Sequence, residues 1–111
     1  MSGRLTTHVL DTANGRPAAG IPIELARVDG DRREVLRSLA TNADGRTDEP
    51  LLDGGELSAG TYELTFDVGG HFQGEGFLGR VPVRFTVADA DAHYHVPLLV
   101  SPWSYSTYRG S

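Results

Sequence analysis

The feature that most constrains this chain is an alternation of apolar and polar residues, broken repeatedly by turn-forming sequences. Residues 62–68 show it most clearly, with Tyr, Leu, Phe and Val at every second position. The same period of two recurs along the chain, at 4–11, 21–26, 81–87 and 94–101. The alternation is less clean at 34–41, and 103–108 is a further β-prone run. Successive side chains of a strand point to opposite faces, so this period indicates half-buried strands. No segment keeps a helical period over 11 or more residues, and the sequence therefore predicts an all-β antiparallel sandwich.

Turn signals separate these runs. Asn14-Gly15, Asp29-Gly30 and Asn42-Ala43-Asp44-Gly45 are sequences that tolerate positive φ or tight turns. Residues 46–59 read as a loop, with at most a short strand at 50–52. The segment 69–79 contains five glycines, which leaves only a weak expectation of a one-turn helix there. With no repeat or linker, we expect one domain over residues 1–111.

Composition excludes several chemistries. The 111 residues include no Cys and no Lys, so thiolate nucleophiles, Cys-bound metals and lysine Schiff bases are ruled out. The net charge of −5 argues against a nucleic-acid partner or an anionic membrane, since both favour a basic surface. The first seven residues lack an apolar run, and we expect no membrane segment and a cytoplasmic location.

Two histidines are the main candidates for chemistry. His8 lies on the strand face opposite Leu5, Thr7 and Val9, and His95 lies opposite the apolar face of residues 94–98. Both should therefore point away from the sandwich core. A solvated outer face usually carries more charge than the neighbours of these histidines provide. We therefore expect another subunit to cover this surface.

Other candidates are weaker. His93 and His95 share a strand face and could bind one metal ion, but spacing supplies no third ligand, so we expect no metal. Arg46 follows a turn and is either an ordinary surface arginine or a planar donor for an oxygen-rich ligand. Composition does not choose between these two interpretations.

Two long motifs resemble a known family. His8-Val9-Leu10-Asp11 with the following Gly15-x-Pro17-Ala18, and the run from Tyr94 to Thr107, look like the signatures of transthyretin-related proteins. The final tetrapeptide Tyr108-Arg109-Gly110-Ser111, together with His8, Arg46 and His95, resembles the 5-hydroxyisourate hydrolases of that family rather than the thyroid-hormone carrier. The resemblance runs from residue 4 to 111.

The resemblance implies a transthyretin-like β-sandwich of two four-stranded sheets with one short helix near His71. It implies a homotetramer, built as a dimer of dimers, whose active sites line the channel between the dimers. It also implies hydrolysis of 5-hydroxyisourate, a step of urate breakdown towards allantoin, with no metal or cofactor. The small-molecule substrate and further copies of the chain are the only partners it implies.

Site residues follow from the resemblance. His8 or His95 would take the proton of the attacking water, Arg46 would hold substrate oxygens, and Tyr108 and Ser111 would contact or orient substrate and water. Arg109 would hold the tail, and His71 and His93 stand at positions that the family pattern does not mark. The alternative is a transthyretin-like carrier that binds an apolar ring ligand without catalysis; a polar channel floor favours the enzyme and an apolar floor the carrier.

Overall fold

A computed structural model describes residues 3–74 and 76–111, and these form two four-stranded sheets packed as a sandwich. The strands are β1 (Arg4–Asp11), β2 (Arg16–Pro17), β3 (Pro22–Asp29), β4 (Arg32–Ala40), β5 (Gly60–Asp67), β6 (Arg80–Val87), β7 (His93–Val100) and β8 (Tyr105–Thr107). The predicted sandwich of two four-stranded sheets is therefore confirmed, but the expectation that it is antiparallel throughout was wrong, because β1 and β7 pair in parallel. The described residues contain no helix that is long and apolar enough to cross a membrane.

The first sheet has the strand order β2-β1-β7-β8 and carries the histidines. Its two central strands, β1 and β7, lie parallel, with Thr6 beside His95 and His8 beside Pro97. This pairing joins the two ends of the chain, which are some ninety residues apart in sequence. Residues that are neighbours across parallel strands share a face, so the pairing brings the separate polar residues of the two motifs together.

The second sheet has the order β4-β3-β5-β6, and all of its pairings are antiparallel. Its outer face carries a network of ion pairs. Glu63 accepts hydrogen bonds from Arg33 and Arg84, and Arg33 also binds Glu24. This face has the charge expected of a surface in water, in contrast to the outer face of the first sheet.

The core lies between the sheets and uses the faces that the alternation predicts. Leu5, Thr7 and Val9 of β1 and Tyr94, Val96 and Leu98 of β7 are buried, which confirms that His8 and His95 lie on the opposite face. The largest fully buried side chains include Tyr62 and Phe66 of β5. Full burial of one such side chain is worth about 1.5–3 kcal/mol.

The short helix expected near His71 is absent from the described residues, and here the sequence interpretation was wrong. The Phe72 N–H donates to the Val68 carbonyl in a single helical turn. The Gln73 and Gly74 N–H groups then donate to the carbonyls of Gly70 and Gly69, and Gln73 has a φ of 59°. These are the two bonds and the left-handed residue of a Schellman motif, which ends a helix. The Schellman motif therefore ends the helix after a single turn. Residue 75 lies outside the described residues.

Candidate active site

The candidate site lies on the outer face of the first sheet, where β1 and β7 run side by side. The Thr6 hydroxyl lies 2.7 Å from Nε2 of His93 and 2.8 Å from Nδ1 of His95. Within residues 3–74 and 76–111 no hydrogen bond reaches Nε2 of His95. This nitrogen is therefore available to a molecule that sits against the sheet.

His8 is held by a different contact. Its Nε2 lies 2.8 Å from the carbonyl oxygen of Asp44. A carbonyl can only accept, so Nε2 of His8 carries the proton and donates it. In neutral His8 only Nδ1 can then act as a base. The two candidate histidines are thus held in different hydrogen-bonding states.

The turn at 42–46 positions Arg46 beside β1. The side-chain oxygen of Asn42 accepts from the N–H groups of Asp44 and Arg46, and the Asn42 N–H donates to the Arg46 carbonyl. Gly45 has a φ of 75°, and an added Cβ would lie 2.4 Å from the carbonyl oxygen of Val9. Only glycine therefore fits this close approach, which the Val9 N–H completes by donating to the Gly45 carbonyl at 2.8 Å.

The C-terminal tail returns to the same face. The Gly110 N–H donates to the His95 carbonyl at 2.7 Å, and an added Cβ on Gly110 would lie 2.6 Å from Cδ2 of the His95 ring. The Arg109 guanidinium lies over the Tyr94 ring, 4.1 Å from its centroid. The backbone of the tail therefore packs directly on His95, and Arg109 has the contact expected of a residue that holds the tail.

A cavity of about 320 Å³ opens at this face, within the size range of small-ligand sites. Its lining contains both cationic and anionic side chains together with two histidines and several hydroxyls. The lining residues are Arg4, Thr6, Thr7, Arg46, Thr47, Asp48, Glu49, Pro50, His93, His95 and Ser111. Of the site residues that the resemblance implies, Arg46, His95 and Ser111 therefore share one cavity.

Tyr108 and His8 do not line that cavity. Tyr108 lines a separate cavity of about 210 Å³ with Tyr94 and Arg109, and its side chain is exposed. His8 stays close through its bond to Asp44, two residues before Arg46. Within one subunit, three of the five implied residues thus line this cavity, whereas His8 and Tyr108 do not.

A larger cavity, of about 600 Å³, lies at the end of the β3–β4 hairpin. Two of its arginines are already occupied: Arg27 donates to Ser58 and Ala59, and Arg33 binds Glu24 and Glu63. It contains no histidine. Size alone therefore does not make it the better site for acid–base chemistry.

The surroundings of His95 favour its neutral form. Burial lowers the pKa of His95 first, and the nearby charges of Arg46, His93 and His8 lower it further. Burial and the charge of Arg4 also lower the pKa of His93. Both rings are therefore predominantly neutral at pH 7, and a neutral imidazole is the form that can accept a proton.

Sequence reasoning missed several contributors to this geometry. Thr6 lies between two histidines, Gly110 packs on His95, and the side chain of Asn42 holds the backbone N–H of Arg46. Spacing within β1 gives no sign of the Thr6 contacts, because they depend on the register with β7. The turn at 42–45 was expected from the sequence, but the bond from the Arg46 N–H to the Asn42 side chain was not.

Three comparisons with known proteins identify the family of this chain. The HIUase/Transthyretin family model matches residues 5–110. The chain is 58% identical to the 5-hydroxyisourate hydrolase 2 of Rhizobium meliloti, over 99% of this chain and 98% of that protein.

Comparison with solved structures also indicates this family. The crystal structure of (S)-allantoin synthase superposes with a TM-score of 0.91 and 48% identity, covering 99% of this chain and 44% of that one. The crystal structure of transthyretin from Sparus aurata gives a TM-score of 0.86 and 25% identity, covering 96% of each chain. The chain therefore belongs to the HIUase/transthyretin family.

Proposed function

We propose that this protein hydrolyses 5-hydroxyisourate to 2-oxo-4-hydroxy-4-carboxy-5-ureidoimidazoline, a step of urate degradation. The observation that carries the proposal is the cavity that His95 lines with Arg46 and Ser111, with no hydrogen bond to Nε2 of His95 from the described residues. The naming of the similar Rhizobium meliloti protein as a 5-hydroxyisourate hydrolase supports the substrate. In the reaction, water adds to an amide-like ring carbonyl, the ring C–N bond breaks, and the water proton ends on the departing nitrogen.

His95 is the general base in this proposal. Water is a poor nucleophile at neutral pH, and a positioned imidazole that removes its proton typically contributes about 10²–10⁴-fold. His95 lines the cavity and its Nε2 makes no hydrogen bond within residues 3–74 and 76–111, whereas His8 does not line the cavity and its Nε2 donates to Asp44. His8 then serves as an orienting neighbour of the substrate rather than as the base.

Arg46 and Ser111 supply the remaining polar contacts. The guanidinium of Arg46 is a planar set of donors that fits the oxygens of the substrate, and it stabilises the negative charge that develops on the attacked carbonyl. Ser111 lines the same cavity and orients substrate or water. Tyr108 lies outside the cavity of its own subunit, so a substrate contact through Tyr108 requires an adjacent subunit.

The carrier alternative suits this surface less well. An apolar ring ligand favours an apolar floor, and here the floor begins with Arg4 and His93 at one end and continues through Thr6, His95 and His8. Its apolar members are Pro97 beside His8, and Leu10 and Leu99 at the other end. The polar centre favours hydrolysis over simple binding.

The assembly that we propose is a homotetramer, a dimer of dimers, with the histidine faces turned towards each other across a channel. The outer face of the second sheet has its network of ion pairs, whereas residues 6–10 and 95–99 on the other outer face are histidine, hydroxyl and apolar. Exposed Trp103 and Tyr105 lie in the loop before β8 and in β8, the edge strand of the same sheet. We also propose that residues 1–111 form one domain and that the protein is cytoplasmic.

The direct test is an activity assay. A uricase generates 5-hydroxyisourate from urate, this protein is added, and the ultraviolet decay of the intermediate is followed. We expect acceleration over the spontaneous decay, unchanged after dialysis against a chelator. Decay at the spontaneous rate, together with tight binding of an apolar ring ligand, would support the carrier instead.

A further inference from the structure

A short chain of hydrogen bonds connects the free nitrogen of His95 to a second histidine that the proposed reaction does not use. His95 Nδ1, the Thr6 hydroxyl and His93 Nε2 follow one another at 2.8 and 2.7 Å. The Thr6 side chain is partly buried, and His93 and His95 are partly exposed residues of one strand. Their ring centroids are 6.1 Å apart, so the two rings are linked through Thr6 rather than stacked on each other.

The Thr6 hydroxyl makes the states of the two rings interdependent. It has one proton, so it can donate to only one ring at a time, and the other ring must then donate to its oxygen. When Thr6 donates to His93, His95 carries its proton on Nδ1 and leaves Nε2 with a lone pair. When Thr6 donates to His95, Nε2 of His95 carries the proton and has no basic lone pair.

From this geometry we infer that Thr6 and His93 are positioning residues that hold His95 in the tautomer able to accept a proton from water. The inference rests on the proposed function, in which His95 is the base. It gives His93 a role that the sequence did not suggest, since the family pattern does not mark this position. Which nitrogen of a histidine is free is set by the bond that the other nitrogen makes.

The charged groups around the two histidines are consistent with Thr6 donating to His93. The charged groups around the rings are Arg4 beside His93, Arg46 and His8 beside His95, and the carboxylates of Asp48 and Glu49 in the cavity wall. The pKa of His93 is lowered, by burial and then by Arg4. A neutral His93 keeps a lone pair on Nε2, which can accept the Thr6 proton.

The hydrogen bonds from His95 through Thr6 to His93 can also carry a proton during the reaction and return it. As Nε2 of His95 takes a proton from water, the Nδ1 proton passes to the Thr6 oxygen and the Thr6 proton passes to His93. The positive charge then rests on His93, where burial and the charge of Arg4 lower the pKa and so favour return of the proton, and His95 is a neutral Nε2–H donor next to the departing ring nitrogen. When His95 donates that proton, the two transfers run backwards and both rings recover their starting states, so no proton is gained or lost.

The test combines kinetics with a direct reading of the tautomer. Thr6→Val and His93→Phe should each lower kcat by about 10- to 100-fold with little change in KM, the scale seen when a metal-bound histidine loses its orienting partner. Thr6→Ser keeps the hydroxyl and should restore most of kcat. The double variant should be no slower than the slower single one, because both changes break one chain.

The matched control is Thr12→Val. Thr12 also donates a hydroxyl hydrogen bond from the β1 side to β7, to the Val100 carbonyl at 3.2 Å, and it lies away from the cavity. This variant should keep the wild-type kcat. The inference would be overturned if Thr6→Val, shown to be folded by its thermal melt, kept the wild-type kcat. It would also be overturned if Thr6→Ser lowered kcat as much as Thr6→Val does.

Nitrogen-15 NMR of the histidine rings reads the tautomer without any turnover. In the wild-type protein at neutral pH, His95 should carry its proton on Nδ1, and His93→Phe should shift it towards Nε2. A wild-type His95 protonated on Nε2, or a tautomer that does not respond to His93→Phe, would contradict the inference. Absence of hydrolysis by the wild-type protein would instead contradict the proposed function, so the two failures are distinguishable.

Discussion

Gly110 lies against the imidazole of His95, and replacing it with alanine tests how tightly the tail fixes that ring. The added Cβ would lie 2.6 Å from Cδ2 and 3.3 Å from Cγ of His95. Carbon atoms in favourable contact are about 3.5–4.0 Å apart. The ring or the tail must therefore move by roughly 1 Å.

Two hydrogen bonds limit how far the tail and the His95 ring can move to make room for the added Cβ. The Gly110 N–H donates to the His95 carbonyl at 2.7 Å, and the Thr6 hydroxyl holds Nδ1 of the ring at 2.8 Å. A displacement of about 1 Å in a catalytic constellation can cost about 10²-fold in rate. We therefore expect Gly110→Ala to lower kcat/KM about 100-fold, while the melting temperature changes little because the tail contributes little to the core.

The assay is steady-state decay of 5-hydroxyisourate, with thermal melts of each variant. Gly79→Ala is the matched control, since an added Cβ there meets no atom within 4 Å in the described part of the chain and Gly79 does not line the cavity. A folded Gly110→Ala protein with wild-type kcat/KM would refute the reasoning, because His95 would then not depend on the close approach of the tail.

Three further predictions concern a buried carboxylate, the number of subunits, and substitutions of single arginine and histidine side chains. Burial alone would raise the pKa of Asp11, but hydrogen bonds from Asn14 and His71 outweigh it and lower this pKa from 3.8 to about 2. The carboxylate therefore contributes on the order of 2 kcal/mol of stability above pH 4, which is lost as the pH falls through 2, and urea unfolding should show a smaller loss over that range for Asp11→Asn. Light scattering should give a mass about four times 11.9 kDa at micromolar concentration, and a mass near 12 kDa would exclude the tetramer. Arg46→Ala and His8→Ala should each lower kcat/KM by at least about 10²-fold and should not combine additively, whereas a folded His71→Ala protein should turn over nearly as the wild type does.

Alternation was a reliable guide to the strands because it reflects burial, which is local to each strand. The run at 62–68 became β5 (Gly60–Asp67), and the outward placement of His8 and His95 followed directly from the apolar residues beside them. The two-residue strand β2 was expected only as a turn. Its pairing with Leu10 and Asp11 depends on the path of the whole 14–17 segment, which a period of two does not describe.

The site was less predictable because its contacts are long-range. Thr6 meets His93 and His95 only because β1 and β7 pair in parallel in one register, and a shift of one residue would place Thr6 on the core side. Hydrogen-bond partners of histidine nitrogens also have no sequence signature. The resemblance to a family could identify His95 and Arg46, but it could not distinguish the donor role of His8 from the free nitrogen of His95.

The most direct test of the account is the turnover of His95→Ala. The account makes the Nε2 of His95 the base that activates water, so kcat/KM for 5-hydroxyisourate should fall by at least about 10²-fold. The wild-type protein is measured beside it, and a thermal melt shows whether the variant is folded. A folded His95→Ala protein that hydrolyses 5-hydroxyisourate at the wild-type rate would contradict the account.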